Sequence, residues 1–195
     1  MSSFAKILSA TLVLLSFAGC DRQADAELES FTLQGREVAA TYGRALKAEL
    51  QAAMTQGGPV AGIAVCHEAA PAIASAVGTD KGVSVGRTSL RVRNPANAPD
   101  HWERGVLNAF EEAASSGADL ATLEYVEKVS VEGRSMIRYM KAIPTDALCL
   151  TCHGSDIDDE VVQLIDDYYP DDQARNFAVG DIRGAFTVTK GPDPE

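Results

Sequence analysis

Apolar positions recur along this chain with two periods, and the change from one to the other divides it. Between Ala24 and Gln56, Leu28, Phe31, Val38, Tyr42, Leu46, Leu50 and Met54 fall at spacings of three, four and seven. That is the stripe of a long amphipathic helix. Gln56-Gly57-Gly58-Pro59 ends it, with glycine after the last turn and proline beyond. The stripe lacks the sustained heptads of a coiled coil, so it is expected to pack on the rest of the domain; a homodimer seam is the other use open to it. Val60 to Val77 is Ala-rich and apolar, predicting a second, buried helix that carries Cys66 and His67. Pro71 inside it predicts a kink near Glu68 to Ala70. Adjacent helical positions point about 100° apart, so Cys66 and His67 cannot both face one ligand.

After Lys81-Gly82 the period falls to two. Val83 to Thr88 and Leu90 to Arg93 read as strands, with Arg91 and Arg93 on one face. Asn94-Pro95-Ala96-Asn97-Ala98-Pro99 is expected to be a stiff extended loop. Asp100 and Glu103 form a capping-box pair for a helix to about Ser116, with Trp102, Val106, Leu107 and Phe110 inward and His101 solvated. Leu123–Val131 and Ser135–Ala142 alternate around Glu132-Gly133 as a hairpin, placing Met136 and Met140 in the core. A short helix over Asp158–Tyr168 and a last strand over Ile182–Thr189 complete the pattern. Helices first and antiparallel strands later predict an α+β fold around a central sheet. Asp158-Asp159-Glu160 and Asp171-Asp172 lack the spacing of a calcium loop and read as helix N-terminal charge and solvated loop.

The N-terminus adds a location. Lys6 precedes an apolar run from Ile7 to Ala18, too short to span a bilayer and shaped like the core of a secretory signal. It ends Phe17-Ala18-Gly19-Cys20, which resembles a bacterial lipobox in which Cys20 becomes the lipidated first residue. Ordinary cleavage, releasing a soluble periplasmic protein, is the alternative. No later stretch reads as a membrane span. Residues 1–20 are thus expected to be a lipoprotein-type signal, 21–58 the N-terminal helix, 59–190 the domain and 191–195 a disordered tail. With 17 Lys and Arg against 28 Asp and Glu, the net charge of -11 argues against nucleic acid and against electrostatic binding to anionic lipid. Membrane attachment would then depend on the lipid at Cys20.

The chemistry concentrates in Cys149-Leu150-Thr151-Cys152-His153. This C-x-x-C-H is the attachment signature of a c-type haem: two thiols add to the porphyrin vinyl groups and the adjoining histidine binds the iron. A closed zinc site needs four ligands, and no second C-x-x-C supplies them. Four cysteines occur in the 195 residues. Lipid accounts for Cys20 and haem for Cys149 and Cys152, leaving Cys66 as a surplus thiol in an oxidising compartment. It is either a buried small hydrophobe, or it has a function. His67 is a competing candidate for the second axial position.

Four segments resemble a family of bacterial secreted c-type haem proteins with a PAS-like fold. They are Ala64-Val65-Cys66 ahead of Ala70-Pro71, the run from Arg87 to Asp100, Cys149 to Gly154, and Gly180-Asp181-Ile182-Arg183-Gly184-Ala185-Phe186. The chain departs from that pattern at Arg175-Asn176-Phe177, where a smaller, Gly-containing turn is usual. The resemblance implies an antiparallel sheet of about five strands flanked by helices. It also implies one covalent haem c, His153 as proximal ligand and Cys66 as distal ligand. Arg91 and Arg93, and less directly Arg183, are candidates to pair with the haem propionates, since guanidinium binds carboxylate bidentately. A thiolate ligand predicts a low potential. The function expected is low-potential electron transfer or haem-based redox sensing, acting on a separate redox or signalling partner. A diatomic-gas sensor is the alternative. A haem enzyme is not expected, because a filled distal position blocks substrate.

Overall fold

The computed structural model describes residues 17–191, with side chains from residue 22 onward. The signal expected over residues 1–20, the Cys20 side chain and residues 192–195 of the tail therefore fall outside the described side chains. α1 runs Phe17–Ala64, but Gly57 (φ -140°, ψ 15°) and Gly58 (φ 66°, ψ -161°) break it where the glycine pair predicts an end. A five-residue π turn, Val65–Ala69, follows, and α2 takes Ala70–Lys81. Pro71 lies in the first turn of α2. It has no N–H to return to the preceding turn, and the chain answers by widening, with Ala70 N–H donating to the Val65 carbonyl. The interruption expected near Glu68 to Ala70 is this π turn. One expectation about membranes is corrected: the helical run Arg22–Lys81 contains a window of mean hydropathy 1.5 that is long and apolar enough to cross a membrane by length and composition.

Among the described residues four antiparallel strands follow, not five: β1 (Ser84–Thr88), β2 (Glu124–Val131), β3 (Arg134–Pro144) and β4 (Ile182–Lys190). Their order in the sheet is β1-β4-β3-β2. The hairpin turns at Glu132 and Gly133, both at positive φ (52° and 78°), as its sequence predicts. The missing strand is Leu90–Arg93. There the Ser89 hydroxyl donates to the Arg91 and Arg183 carbonyls and accepts from Arg91 N–H, while Val92 O accepts from Gln173 N–H. Those bonds turn the chain away from the sheet, so the two-residue parity of Arg91 and Arg93 does not apply. The Asn94–Pro99 loop also holds a single 3₁₀ turn, Pro95–Asn97, which the Asn94 side chain caps.

The sheet is covered on both faces. α1 lays Phe31, Val38 and Ala39 on Ile137, Tyr139 and Val188. α3 (His101–Ser115) carries the expected capping box and sets Val106, Leu107 and Phe110 against Met140, Ala142, Ile182 and Ala185. The N-terminal stripe thus packs on the domain. Odd positions of β3 face α1 and even positions face α3, so each strand residue has one assigned side. Arg138 ties the α3 side: it bonds Asp100 and Glu103 and lies 4.3 Å over Trp102, whose Nε1 donates to Glu127.

Glycines record how closely the layers approach. A Cβ at Gly35 would sit 2.5 Å from Cγ of the fully buried Tyr139 ring, whereas one at Gly105 would meet nothing within 4 Å. Alanine is the better helix former by about 1 kcal/mol. At Gly35 overpacking of about 1–3 kcal/mol outweighs that. Gly35→Ala should therefore lower, and Gly105→Ala raise, the midpoint of urea unfolding.

Candidate functional site: a cysteine- and arginine-lined cavity

The C-x-x-C-H segment sits at the end of the sheet, after β3. A 3₁₀ turn, Ala147–Cys149, leads into one turn of helix, α4 (Leu150–His153). Asp146 caps the turn through Ala147 N–H and pairs with Lys47 at 2.8 Å, joining the motif to α1. The helix stops at Gly154, where a Cβ would strike the Leu150 carbonyl at 2.7 Å. α5 (Asp159–Tyr168), capped by Asp158, packs Val161 and Ile165 on Ile63 and Cys152.

One cavity of about 380 Å³ gathers the residues singled out from sequence. Cys66, Cys149, Cys152, His153, Arg93 and Arg183 all line it, although Cys66 lies more than eighty positions from the motif. Leu46, Leu50 and Met54 of α1 close an apolar side. The two neighbours on the π turn part company, as their spacing requires. Cys66 enters the cavity wall, while His67 is absent from the lining and half-buried between two tyrosines, its Nδ1 2.8 Å from the Tyr169 hydroxyl and its ring 4.7 Å from Tyr168. Arg91 is not in the lining; its guanidinium stacks 3.7 Å over Phe177. His101 is exposed at the start of α3, and Met140 is in the core, as expected.

His153 is held in a defined orientation. Its Nδ1 lies 2.7 Å from the Ala174 carbonyl, which can only accept, so Nδ1 carries the proton and Nε2 keeps its lone pair. Burial, reinforced by the Arg183 and Arg93 cations, holds the imidazole well below its ordinary value of 6.5 and therefore neutral. This is the state of a metal-binding histidine, with one nitrogen tied back and the other presented. Burial likewise pushes the Cys152 thiol up.

The carbonyl that receives His153 belongs to a strap built on Asp172. Its carboxylate accepts from Arg93 Nε and Nη2, both at 3.0 Å, from Arg175 Nε at 2.8 Å and from Ala174 N–H at 2.9 Å. Arg93 also donates to the Cys152 and Ala174 carbonyls. Phe177 N–H and Asn176 N–H bond back to the carbonyls of His153 and Gly154. Asp172 is thus no solvated loop residue: its side chain is 1% exposed. Arg93, expected to be open to an external carboxylate, is occupied by this internal one. Sequence reading also missed Arg87, which lines the cavity and whose Nε is buried without a partner. The signal was present, since Val83, Val85 and Arg87 share strand parity and the two valines face the helical layer.

The sequence profile of one family matches residues 20–190. The chain belongs to the Tll0287-like family. Among solved structures, the crystal structure of the cyanobacterial heme-protein Tll0287 aligns with a TM-score of 0.60 at 22% identity, covering 87% of this chain and 98% of that one. It shares the fold. No curated protein matches this Tll0287-like chain in sequence.

The strap makes a pH prediction. Despite burial, which raises it, the bonds from Arg93 and Arg175 bring the Asp172 carboxyl down to about 2. An unfolded aspartate titrates near pH 4. Its contribution is therefore complete above about pH 4 and is lost as pH falls through about 2. Asp172→Asn should unfold more readily at neutral pH and lose less stability than wild type between pH 5 and 2, as read by urea midpoints across that range.

Proposed function

We propose that this chain is an exported mono-haem c-type cytochrome-like protein serving low-potential electron transfer or haem-based redox sensing. The observation that carries the reading is the convergence of Cys66 and the three C-x-x-C-H residues on one cavity, with His153 neutral and its Nδ1 tied back. These residues fit a haem. Cys149 and Cys152 would form the thioether bonds, His153 would bind through Nε2, and Cys66 would be the second axial ligand. Bound haem supplies a reversible one-electron iron couple. The relative of similar fold is described as a heme-protein, which supports the same cofactor.

The chain's own residues shape what that couple can do. Leu46, Leu50 and Met54 give one side of the cavity an apolar surface. The thiolate of Cys66 would donate electron density and lower the potential, where a thioether would raise it. Two protein ligands leave no vacant position for substrate, and His67, the nearest acid–base group to Cys66 in sequence, is bound to Tyr169. An electron carrier or redox sensor therefore fits better than an enzyme. Its partner would be a separate redox or signalling protein, reached from the periplasmic side of a bacterial membrane where a lipid on Cys20 would anchor the chain.

Expression in a host that matures c-type cytochromes tests the reading directly. Mass spectrometry should show one haem bonded to the peptide, and Cys149→Ala with Cys152→Ala should abolish the bond. Cys66→Ala should keep the haem but convert a low-spin ferric electron paramagnetic resonance signal to high-spin. An unchanged signal would rule out Cys66 as ligand. Carbon monoxide binding to reduced wild type would shift the balance toward gas sensing.

A further inference from the structure

The cavity wall holds more positive charge than the protein uses. Arg87, Arg93 and Arg183 line it together. Asp172 balances Arg93. Among the described residues the Arg87 guanidinium meets no carboxylate, and its Nε is buried without a hydrogen-bond partner. Arg183 reaches no carboxylate either. Its contacts are the Ser89 hydroxyl at 3.3 Å, the Nε2 of His153 at 3.5 Å and the face of Phe177 at 5.2 Å.

Such an arrangement is unfavourable as it stands. Cations drawn partly out of water without a counter-ion lose hydration, and two like charges on one wall repel each other. Among the described residues the nearby acids are engaged elsewhere: Asp146, which also lines the cavity, pairs with Lys47, and Asp172 pairs with Arg93 and Arg175. The cavity is built to receive negative charge from outside the protein. Resting on the haem reading above, iron bonding at Nε2 of His153 would take the lone pair that Arg183 now faces. That would leave Arg183 with a serine hydroxyl and a ring face, and so in greater need of an anion.

We propose that Arg87 and Arg183 form a two-guanidinium clamp for the paired carboxylates of the bound porphyrin, the role that strand parity would give to Arg91 and Arg93. Two carboxylates against two guanidiniums balance the wall, and each guanidinium offers the fork geometry that a carboxylate fits. Arg93 remains on Asp172, and Arg91 remains on Phe177 outside the cavity.

Resonance Raman spectra of the covalently loaded protein test this, because the bending modes of the propionate groups report their hydrogen bonding. Wild type, Arg87→Gln, Arg183→Gln and Arg91→Gln are compared after mass spectrometry shows haem on each. The propionate modes should shift in Arg87→Gln and in Arg183→Gln and stay in place in Arg91→Gln. Identical modes in all four proteins would overturn the clamp, as would an equal shift in Arg91→Gln. Should Arg183→Gln fail to mature, Arg183→Lys, which keeps the charge and loses the fork, decides together with Arg87→Gln. Wild type carrying no haem would instead remove the cofactor reading itself, an outcome distinct from failure of the clamp.

Discussion

The site depends on one buried carboxylate. Taking the Asp172 charge out of water is expensive, and it is tolerated because four donors surround it: two from Arg93, one from Arg175 and one from the Ala174 amide. Through Arg93 this single group fixes three strands of chain at once, the 89–93 bend, the end of α4 and the 172–177 strap. The Ala174 carbonyl, which sets the tautomer of His153, is part of that same network. Removing one partner of such a pair would cost on the order of 3–5 kcal/mol by leaving a buried charge uncompensated. The orientation of the imidazole is therefore as stable as the loop that carries it.

The same ion pair explains which parts of the molecule were legible in the sequence. The α1 stripe, the hairpin, the capping box of α3 and the C-x-x-C-H turn are local patterns, read from neighbours three, four or two positions apart. Arg93 and Asp172 are 79 positions apart, and neither has a neighbour that announces the other. With Asp172 read as solvated, Arg93 looked available to a ligand. The parity argument for Arg91 and Arg93 was sound for a strand, but Ser89 diverts the backbone before that strand can form. Applied one element earlier, to Val83, Val85 and Arg87, the same parity holds. An arginine on the inward face of a half-buried strand was the readable clue.

The Arg175-Asn176-Phe177 segment proves to be structural support for the histidine. Phe177 is buried, donates its N–H to the His153 carbonyl and sets its ring edge-on to the imidazole at 6.2 Å. Asn176 takes the left-handed conformation (φ 60°) that a glycine would adopt more easily. A short polar side chain tolerates that conformation, so the turn keeps its shape without glycine. The same segment supplies an aromatic ring over which Arg91 and Arg183 stack.

The two walls of the cavity are held by different means. His153 is fixed by an imidazole–carbonyl bond, a buried ion pair and a returning strap, all on residues that are buried or half-buried. Cys66 stands on a π turn in which no residue is buried, bounded by the Gly57-Gly58 break on one side and Pro71 on the other. Local opening follows such differences in burial and bonding, and its free energy is lowest where backbone is least covered. A helix that has already surrendered its regular hydrogen bonds at Pro71 can shift its sulfur with little further loss, whereas His153 cannot move without disturbing Asp172. The physical asymmetry assigns constancy to the imidazole side of the cavity and adjustability to the sulfur side.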